Sequence, residues 1–311
     1  PTRRSSDLLG GVLGAGGVTL LGGRNSAGAE SAAVYETDQP AEKGQVDLST
    51  GSEETVPDTP DSESETTQSP VLTASAQRGD AMSASDIYDL AVTQVVGITT
   101  EITYTNYFGM TTSAAVSGTG FIVSEDGYII TNNHVIEDAA AGGYEVSVML
   151  YNGDTYTAAI IGREEENDIA VLKIDASGLN PVTIADSDEM RVGETVYAVG
   201  NPLGELTYTM TTGTVSALDR EITTSDSSYS GSATTINVFQ IDAAVNSGNS
   251  GGPVYNTSGE VIGVVTAKYS STGVEGIGFA IPINDAVNIA NELITNGYVS
   301  GKAYFGISEH R

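Results

Sequence analysis

The feature that most constrains the fold is a series of short apolar runs that begins near residue 83 and continues almost to the end of the chain. Gly, Asn and Asp turns separate the runs, which include GYIITN, IAVLKI, ETVYAVG and VIGVVTA. Strands this short and this frequent are typical of all-β barrels and sandwiches. About eleven or twelve such runs lie within roughly 200 residues, which favours two six-stranded antiparallel barrels over a single one. We therefore predict an all-β fold.

Two helices are expected to flank the strands. A short helix near residue 85 has Ser85 as its candidate N-cap and an apolar face that starts at Ile87. A longer one in NDAVNIANELITNG has Asn284 as its candidate N-cap and Gly297 as its C-terminal stop. The predicted folded domain spans 83–306, with the barrels at about 83–202 and 203–300.

The residues before this domain differ in character. Residues 1–8, PTRRSSDL, resemble a translated sequencing adapter rather than part of a folded domain. Residues 9–24 are uncharged and Gly-rich up to Arg24, and we expect the remnant of a membrane anchor there. A cleaved signal peptide and a flexible tail are the alternatives. Either an anchor or a signal peptide would place the rest of the chain outside the cytoplasm.

Residues 25–82 are predicted to form a disordered acidic linker. The stretch from Glu30 to Asp80 holds 12 acidic and 2 basic residues and almost no large apolar side chains. Such a segment cannot bury enough surface to offset the entropy lost on ordering.

Composition excludes several classes of function. The chain has a formal net charge of -29, with 41 acidic and 12 basic residues, so it repels nucleic acids and anionic lipid head groups. It has no Cys, which removes disulfides, thiolate catalysis and Cys zinc sites. We expect neither a metal nor another cofactor, and contact with a membrane only through the N-terminal segment.

Three residues form a candidate catalytic set. His134, in TNNHVIEDA, is one of only 2 His and follows an apolar strand, although a lone His in such a place is more often structural. Asp168 opens the apolar run NDIAVLKI, where a buried carboxylate requires a hydrogen-bond donor; a simple turn Asp is the alternative. Ser250 lies in GNSGGP, which could also be an ordinary turn.

The GNSGGP turn has a composition that suits an oxyanion hole. A serine hydroxyl needs a base to become a nucleophile, and its attack places negative charge on the carbonyl oxygen. Gly248 can turn its N–H inward, and the N–H of Ser250 can converge with it. The predicted oxyanion hole is therefore the stretch Gly248, Asn249 and Ser250.

The order His134, Asp168, Ser250 resembles the chymotrypsin-fold serine proteases. The flanking blocks SGTGFIVSEDGYIITNNHVIEDA, AVGNPLG, TGTVSALDRE, QIDAAVNSGNSGGPVYNTSGEVIGVV and EGIGFAIP resemble the HtrA (DegP-like) family, from about residue 87 to 306. The resemblance, closest to membrane-anchored Gram-positive members, implies a double six-stranded barrel, a homotrimer and cleavage of unfolded or misfolded extracytoplasmic proteins. Family members usually continue past YFGIS into a PDZ domain, of which residues 307–311 would be a truncated start.

The resemblance also implies a role for each site residue. His134 is the general base and later the general acid, Asp168 orients it, and Ser250 forms the acyl-enzyme. The floor of the specificity pocket would be Ala244 and Val245, and the facing strand would carry Thr266, Ala267 and Lys268. Because no floor residue is acidic, we expect small aliphatic P1 residues such as Val, Ala or Ile.

Two positions bear on regulation. Asn249 stands where digestive relatives carry Asp, so activation by a new N-terminal ammonium group is excluded and control must come from loops. Arg220, in SALDRE, matches a loop arginine that relays activation in HtrA relatives; a plain surface charge is the alternative. Rival functions are a protease-fold chaperone with a resting or inactive site and a purely structural surface protein.

Overall fold

The computed structural model of the chain describes residues 69–75, 79–105, 110–201, 208–225, 233–267 and 276–301. These residues all belong to one compact unit, Ser64–Arg311. The predicted adapter, the anchor or signal segment, most of the linker and the expected PDZ remnant lie outside the described residues. Within the described part of the chain, no helix is both long enough and apolar enough to cross a membrane.

The first six strands close into one antiparallel barrel, with the order β1-β2-β3-β6-β5-β4. Their bounds are β1 Val95–Thr105, β2 Thr111–Ile122, β3 Tyr128–Thr131, β4 Val146–Met149, β5 Thr155–Glu164 and β6 Ile169–Lys173. Alternate residues of β4 point inward, as the two-residue period of a strand requires. The interior is filled by branched side chains that include Ile98, Ile129, Val148 and Leu172.

The second barrel has the same strand number and the order β10-β11-β12-β9-β8-β7. Its strands are β7 Thr195–Gly200, β8 Thr209–Ser225, β9 Ala233–Ile241, β10 Pro253–Tyr255, β11 Val261–Val265 and β12 Gly278–Pro282. The prediction of an all-β fold with two six-stranded antiparallel barrels is confirmed. The predicted division near residue 202 is wrong, because β7 pairs with β8 and β10 and so belongs to the second barrel.

Both predicted helices are present, but their N-caps differ from the prediction. Helix α1 (Ala84–Ala91) is capped by Ser83, which forms a reciprocal capping box with Asp86, so the choice of Ser85 was wrong. The last helix, α3 (Ile283–Asn296), begins after Pro282, and Asn284 lies inside it. Gly297 ends α3 in the left-handed conformation at φ 79°, as predicted.

A helix that the sequence did not predict, α2 (Asn133–Gly142), follows β3 directly and contains His134. Its buried face, with Val135, Ile136 and Ala139, packs on the core of the first barrel. A short 3₁₀ turn at Ser187–Glu189 lies between the barrels in sequence.

The end of the predicted linker is not detached from the domain. Leu72 is buried, its backbone N–H donates to the side-chain oxygen of Asn291 over 2.8 Å, and its carbonyl accepts from the Asn291 amide over 2.9 Å. Further along, Met82 donates its N–H to the Thr257 carbonyl over 2.8 Å. The linker prediction through residue 82 is therefore wrong for 69–75 and 79–82, because one apolar side chain and these backbone bonds anchor the segment.

The two barrels are joined by a shared core and by buried polar contacts. One apolar cluster draws members from both barrels, α1 and α3. Within it, the Tyr255 hydroxyl of β10 donates to the Gln94 side-chain oxygen over 3.1 Å, and the Gln94 amide donates to the Pro181 carbonyl over 2.8 Å. Burial raises the pKa of Tyr255, which keeps its hydroxyl a neutral donor.

We expect Tyr255→Phe to lower the free energy of unfolding by about 1–3 kcal/mol, because it leaves the buried Gln94 oxygen without its donor. Tyr144→Phe is the matched control, since the Tyr144 hydroxyl donates to the Thr103 carbonyl in an exposed position. Urea-induced unfolding of both variants measures the difference. Equal, small effects of the two substitutions would contradict the structural importance of the Tyr255–Gln94 bond.

Candidate active site

Asp168 lies at the N-terminus of α2 and satisfies the first N–H groups of that helix. The residue ends the β5–β6 turn with φ 55°, a conformation that Asp tolerates better than most side chains. Its carbonyl accepts the Asn133 N–H over 3.2 Å, and its carboxylate accepts the His134 N–H over 3.0 Å. These donors have no partner within the helix, and the positive end of the helix dipole favours the carboxylate.

The same carboxylate orients the imidazole ring of His134. Nδ1 of His134 lies 2.8 Å from Oδ2 and 3.0 Å from Oδ1 of Asp168. Thr266, at the end of β11, donates its hydroxyl to Oδ2 over 3.1 Å. The Asp168 side chain is 3% exposed and that of His134 19% exposed. With the proton on Nδ1, the neutral ring presents Nε2 as an acceptor on its exposed side.

Ser250 lies in the turn between β9 and β10, on the second barrel. Within residues 246–250, four carbonyls are held by hydrogen bonds: Asn246 by the Asn249 N–H, Gly248 by the Thr119 hydroxyl, Asn249 by the Gly252 N–H, and Ser250 by the Thr119 N–H. Gly248 has φ 93°, which a residue with a side chain rarely adopts. Among the described residues, the N–H groups of Gly248 and Ser250 have no acceptor.

The predicted oxyanion-hole residues therefore differ in what they offer. The Gly248 and Ser250 N–H groups are available to a ligand. The Asn249 N–H is occupied by the Asn246 carbonyl over 3.0 Å, so it cannot donate to a substrate in this arrangement. The Asn249 side chain is 4% exposed, and its oxygen has no partner among the described residues.

A pocket of about 200 Å³ brings the two halves of the site together. It is lined by Val116, Ser117, His134, Val135, Ser247, Gly248, Ser250 and Ala267. The Ser250 hydroxyl accepts the Ala267 N–H over 3.2 Å. Within the described residues no hydrogen bond joins Ser250 to His134, and the bond that the Ser250 hydroxyl makes there is to the Ala267 N–H, just after β11.

The predicted specificity-pocket residues divide between two cavities. Ala244 and Val245 line a cavity of about 420 Å³ with Asp242, Ala243, Asn246, Gly276 and Ile277. Ala267 instead lines the pocket that contains His134 and Ser250. Thr266 is 0% exposed and bonds to Asp168. Lys268 lies outside the described residues.

Arg220 lies in β8 rather than in a loop. The strand is irregular there, with register shifts between Val215 and Ala217 and between Ala217 and Arg220, and Asp219 has φ 51°. The Arg220 side chain is exposed. Part of the Ser/Thr-rich segment that follows, residues 226–232, lies outside the described residues.

Sequence reasoning missed three contributors to this site: helix α2, the bond from Thr266 to Asp168, and Thr119. The sequence SGTGF gives no local signal for Thr119, because its full burial and its distant partners are seen only in the structure. Within the described part of the chain, no group of three His, Asp or Glu side chains is placed to hold a metal ion.

The sequence matches the family model for a trypsin-like peptidase domain over residues 118–264. Serine protease Do-like HtrA of Bacillus subtilis (strain 168) is 41% identical over 242 residues, which are 74% of this chain and 52% of that protein. A probable periplasmic serine endoprotease, DegP-like, of Chlamydia trachomatis is 44% identical over 196 residues, covering 62% of this chain and 37% of the relative. The chain thus spans about half or less of these curated relatives.

Two solved structures agree with these matches. The HtrA-type protease AlgW with a decapeptide has a TM-score of 0.57 and 31% identity, covering 70% of this chain and 69% of that one. The same protease with a tripeptide has a TM-score of 0.58 and 34% identity, over 70% and 65% of the two chains. Fold and sequence lead to one assignment: the chain belongs to the HtrA-type serine proteases, within the trypsin-like peptidases.

Proposed function

We propose that this chain is a serine endopeptidase that cleaves unfolded or misfolded polypeptides through Ser250, His134 and Asp168. The observation that carries the proposal is the imidazole of His134, which a buried carboxylate orients within the pocket that also contains Ser250. A structural His would not need a 3%-exposed carboxylate that is itself supported by a hydroxyl and a backbone N–H.

The mechanism follows from the positions of the donors and acceptors. The Ser250 oxygen attacks the scissile carbonyl, and Nε2 of His134 takes the hydroxyl proton. Negative charge moves to the former carbonyl oxygen, where the free N–H groups of Gly248 and Ser250 stabilise it. Collapse of this intermediate expels the amine, which receives the proton from His134. Water, deprotonated by His134, then hydrolyses the acyl-enzyme and restores the serine.

Before attack, the Ser250 hydroxyl must donate its proton to Nε2 of His134, and we propose that the side chain turns away from the Ala267 N–H to do so. A rotation about one side-chain bond between staggered positions is sufficient, and it costs one ordinary hydrogen bond of about 0.5–1.5 kcal/mol. We propose that a bound peptide favours this rotation by supplying its own carbonyl as the acceptor for the Ala267 N–H. The resting serine also supports a second candidate function, a chaperone that holds unfolded chains without cutting them.

Location, assembly and control are proposed on the strength of the family. Relatives are named as periplasmic endoproteases, which supports action outside the cytoplasm. We propose that an N-terminal membrane segment anchors the domain there, with secretion as the alternative, and that three copies assemble. Arg220 is proposed to relay activation, and its place beside a strand irregularity supports a conformational role.

Replacing Ser250 with Ala should abolish peptide cleavage and fluorophosphonate labelling, with a loss of about 10⁶-fold in kcat. Ser177→Ala, an exposed serine after β6, is the control that should leave both unchanged. Casein cleavage and labelling of the purified proteins measure the effect. A wild-type protein that binds unfolded casein but neither labels nor cuts would favour the chaperone function and refute the peptidase.

Asp168→Asn should lower kcat/KM by about 10⁴-fold, because an amide can present its N–H to Nδ1 and hold the imidazole in the wrong tautomer. Asp175→Asn changes an exposed turn carboxylate and serves as the control for charge. Steady-state hydrolysis of a peptide anilide measures both variants, and circular dichroism checks their folding. Activity within a few-fold of wild type in folded Asp168→Asn would remove Asp168 from the mechanism.

We propose that the cavity lined by Ala244 and Val245 receives the P1 side chain, so cleavage should follow small aliphatic P1 residues. Substrates that differ by one methylene at P1 should differ by about 10- to 200-fold in kcat/KM. A peptide library read by mass spectrometry gives the preference directly. Cleavage after Lys or Arg would contradict this expectation and would point to the Asp242 carboxylate, which also lines the cavity.

A further inference from the structure

Thr119 is a β2 residue of the first barrel that is fully buried at its junction with the second. Each of its polar groups is used. Its N–H donates to the Ser250 carbonyl over 2.9 Å, and its hydroxyl donates to the Gly248 carbonyl over 2.6 Å. The hydroxyl also accepts the Asn201 N–H over 2.9 Å, and its carbonyl accepts the Thr131 hydroxyl over 2.7 Å. Thr119 thus connects the turn that contains Ser250 with the ends of β3 and β7.

Two of these bonds act on the backbone that would form the oxyanion hole. Of the four bonded carbonyls in residues 246–250, those of Asn246 and Asn249 are held from within the turn. Among the described residues, Thr119 is the one donor to the carbonyls of Gly248 and Ser250. Because a peptide group is planar, the bond to the Gly248 carbonyl fixes the peptide that joins Gly248 to Asn249. The Gly248 N–H belongs to the preceding peptide, so its direction is constrained through the φ and ψ angles of Gly248. Without that bond, the Asn249 N–H bond to the Asn246 carbonyl would be the one remaining hydrogen bond on this peptide among the described residues, and glycine adopts both signs of φ readily.

We propose that Thr119 is a positioning residue that keeps the oxyanion hole assembled from the opposite barrel. Its hydroxyl favours the orientation of Gly248 in which the Gly248 and Ser250 N–H groups have no acceptor among the described residues and remain available to a substrate in the pocket that both residues line. Thr119 touches no substrate atom and acts through the turn. This inference rests on the proposed peptidase activity and adds to it a residue of the first barrel that acts on the turn of the second.

The proposal is specific about which property of Thr119 matters. The hydroxyl is both a donor, to Gly248, and an acceptor, from Asn201, and valine of nearly equal size can be neither. Serine keeps both roles and loses only a methyl group. If the contribution of Thr119 were only apolar packing, valine would replace it better than serine.

The experiment compares Thr119→Val and Thr119→Ser with a control at Thr100, on β1 of the same barrel. Thr100 is 1% exposed, and its hydroxyl has no partner among the described residues, so Thr100→Val removes a buried hydroxyl that holds nothing. The readouts are kcat and KM for a peptide anilide, and inhibition constants for a peptide aldehyde and the matching alcohol. The aldehyde adduct with Ser250 places an oxygen in the hole, whereas the alcohol binds without bond formation.

We expect Thr119→Val to lower kcat by about 10- to 100-fold, since misplacement of a catalytic group by about 1 Å costs up to that much. KM should be nearly unchanged. Aldehyde inhibition should weaken in proportion to kcat while alcohol inhibition stays constant. Thr119→Ser should keep most of the activity, and Thr100→Val should match wild type. If Thr119→Val fails to fold, Thr119→Ala provides the same test, because alanine also lacks the hydroxyl and its smaller side chain adds no steric overlap.

Any of three outcomes would overturn the proposal. The first is a Thr119→Val variant with a lower melting temperature but an unchanged kcat. The others are equal losses of kcat in Thr119→Ser and Thr119→Val, and an equal weakening of inhibition by the aldehyde and by the alcohol. Failure of the peptidase assignment is recognised separately, because wild type and Ser250→Ala would then be equally inactive. In that case the proposed function and the positioning role of Thr119 would both be rejected.

Discussion

The arrangement of the site depends on one buried carboxylate. Asp168 could not be placed at 2% exposure without donors, and the fold supplies them from three directions: the His134 ring, the His134 backbone and the Thr266 hydroxyl. In return, Asp168 caps helix α2, fixes the start of that helix and so fixes the position of His134. The Asp168 carboxylate, the start of helix α2 and the His134 side chain are therefore one structural unit. Removing the carboxylate would disturb both the helix start and the position of His134.

The two barrels divide the proposed chemistry between them. The first supplies His134 and Asp168, and the second supplies Ser250 and the N–H groups beside it. This division makes the junction the sensitive part of the molecule, because a small displacement there would separate His134, the proposed base, from Ser250, the proposed nucleophile. The junction is accordingly filled with apolar side chains from both barrels and crossed by the Tyr255–Gln94 bond and the Thr119 bonds.

What the sequence predicted, and what it did not, follows from the range of the interactions. Local sequence patterns predict the number of strands, the number of barrels and the end of the last helix at Gly297. Helix α2 was missed because its first N–H groups are satisfied by Asp168, 34 positions along the chain, rather than by a local cap. The role of Thr119 was invisible for the same reason, since its Gly248 partner is 129 positions away. Asn284 was misplaced because Ser187, 97 positions away, accepts its N–H and replaces a side-chain cap at the start of α3.

Gly251, directly after Ser250, has φ 83°, and a Cβ placed there would collide with the Thr119 carbonyl, the Thr131 hydroxyl and the Asn132 backbone. The main chain of the second barrel at Gly251 thus lies in close contact with the first barrel, with no space for a side chain on Gly251. Such a contact is stiff, because close-packed backbones cannot slide without steric overlap. Rocking one barrel against the other is consequently a poor way to switch the site on or off. Rotation of the Ser250 side chain needs no such displacement, so we expect control of the proposed peptidase to act on that torsion rather than on the junction of the barrels.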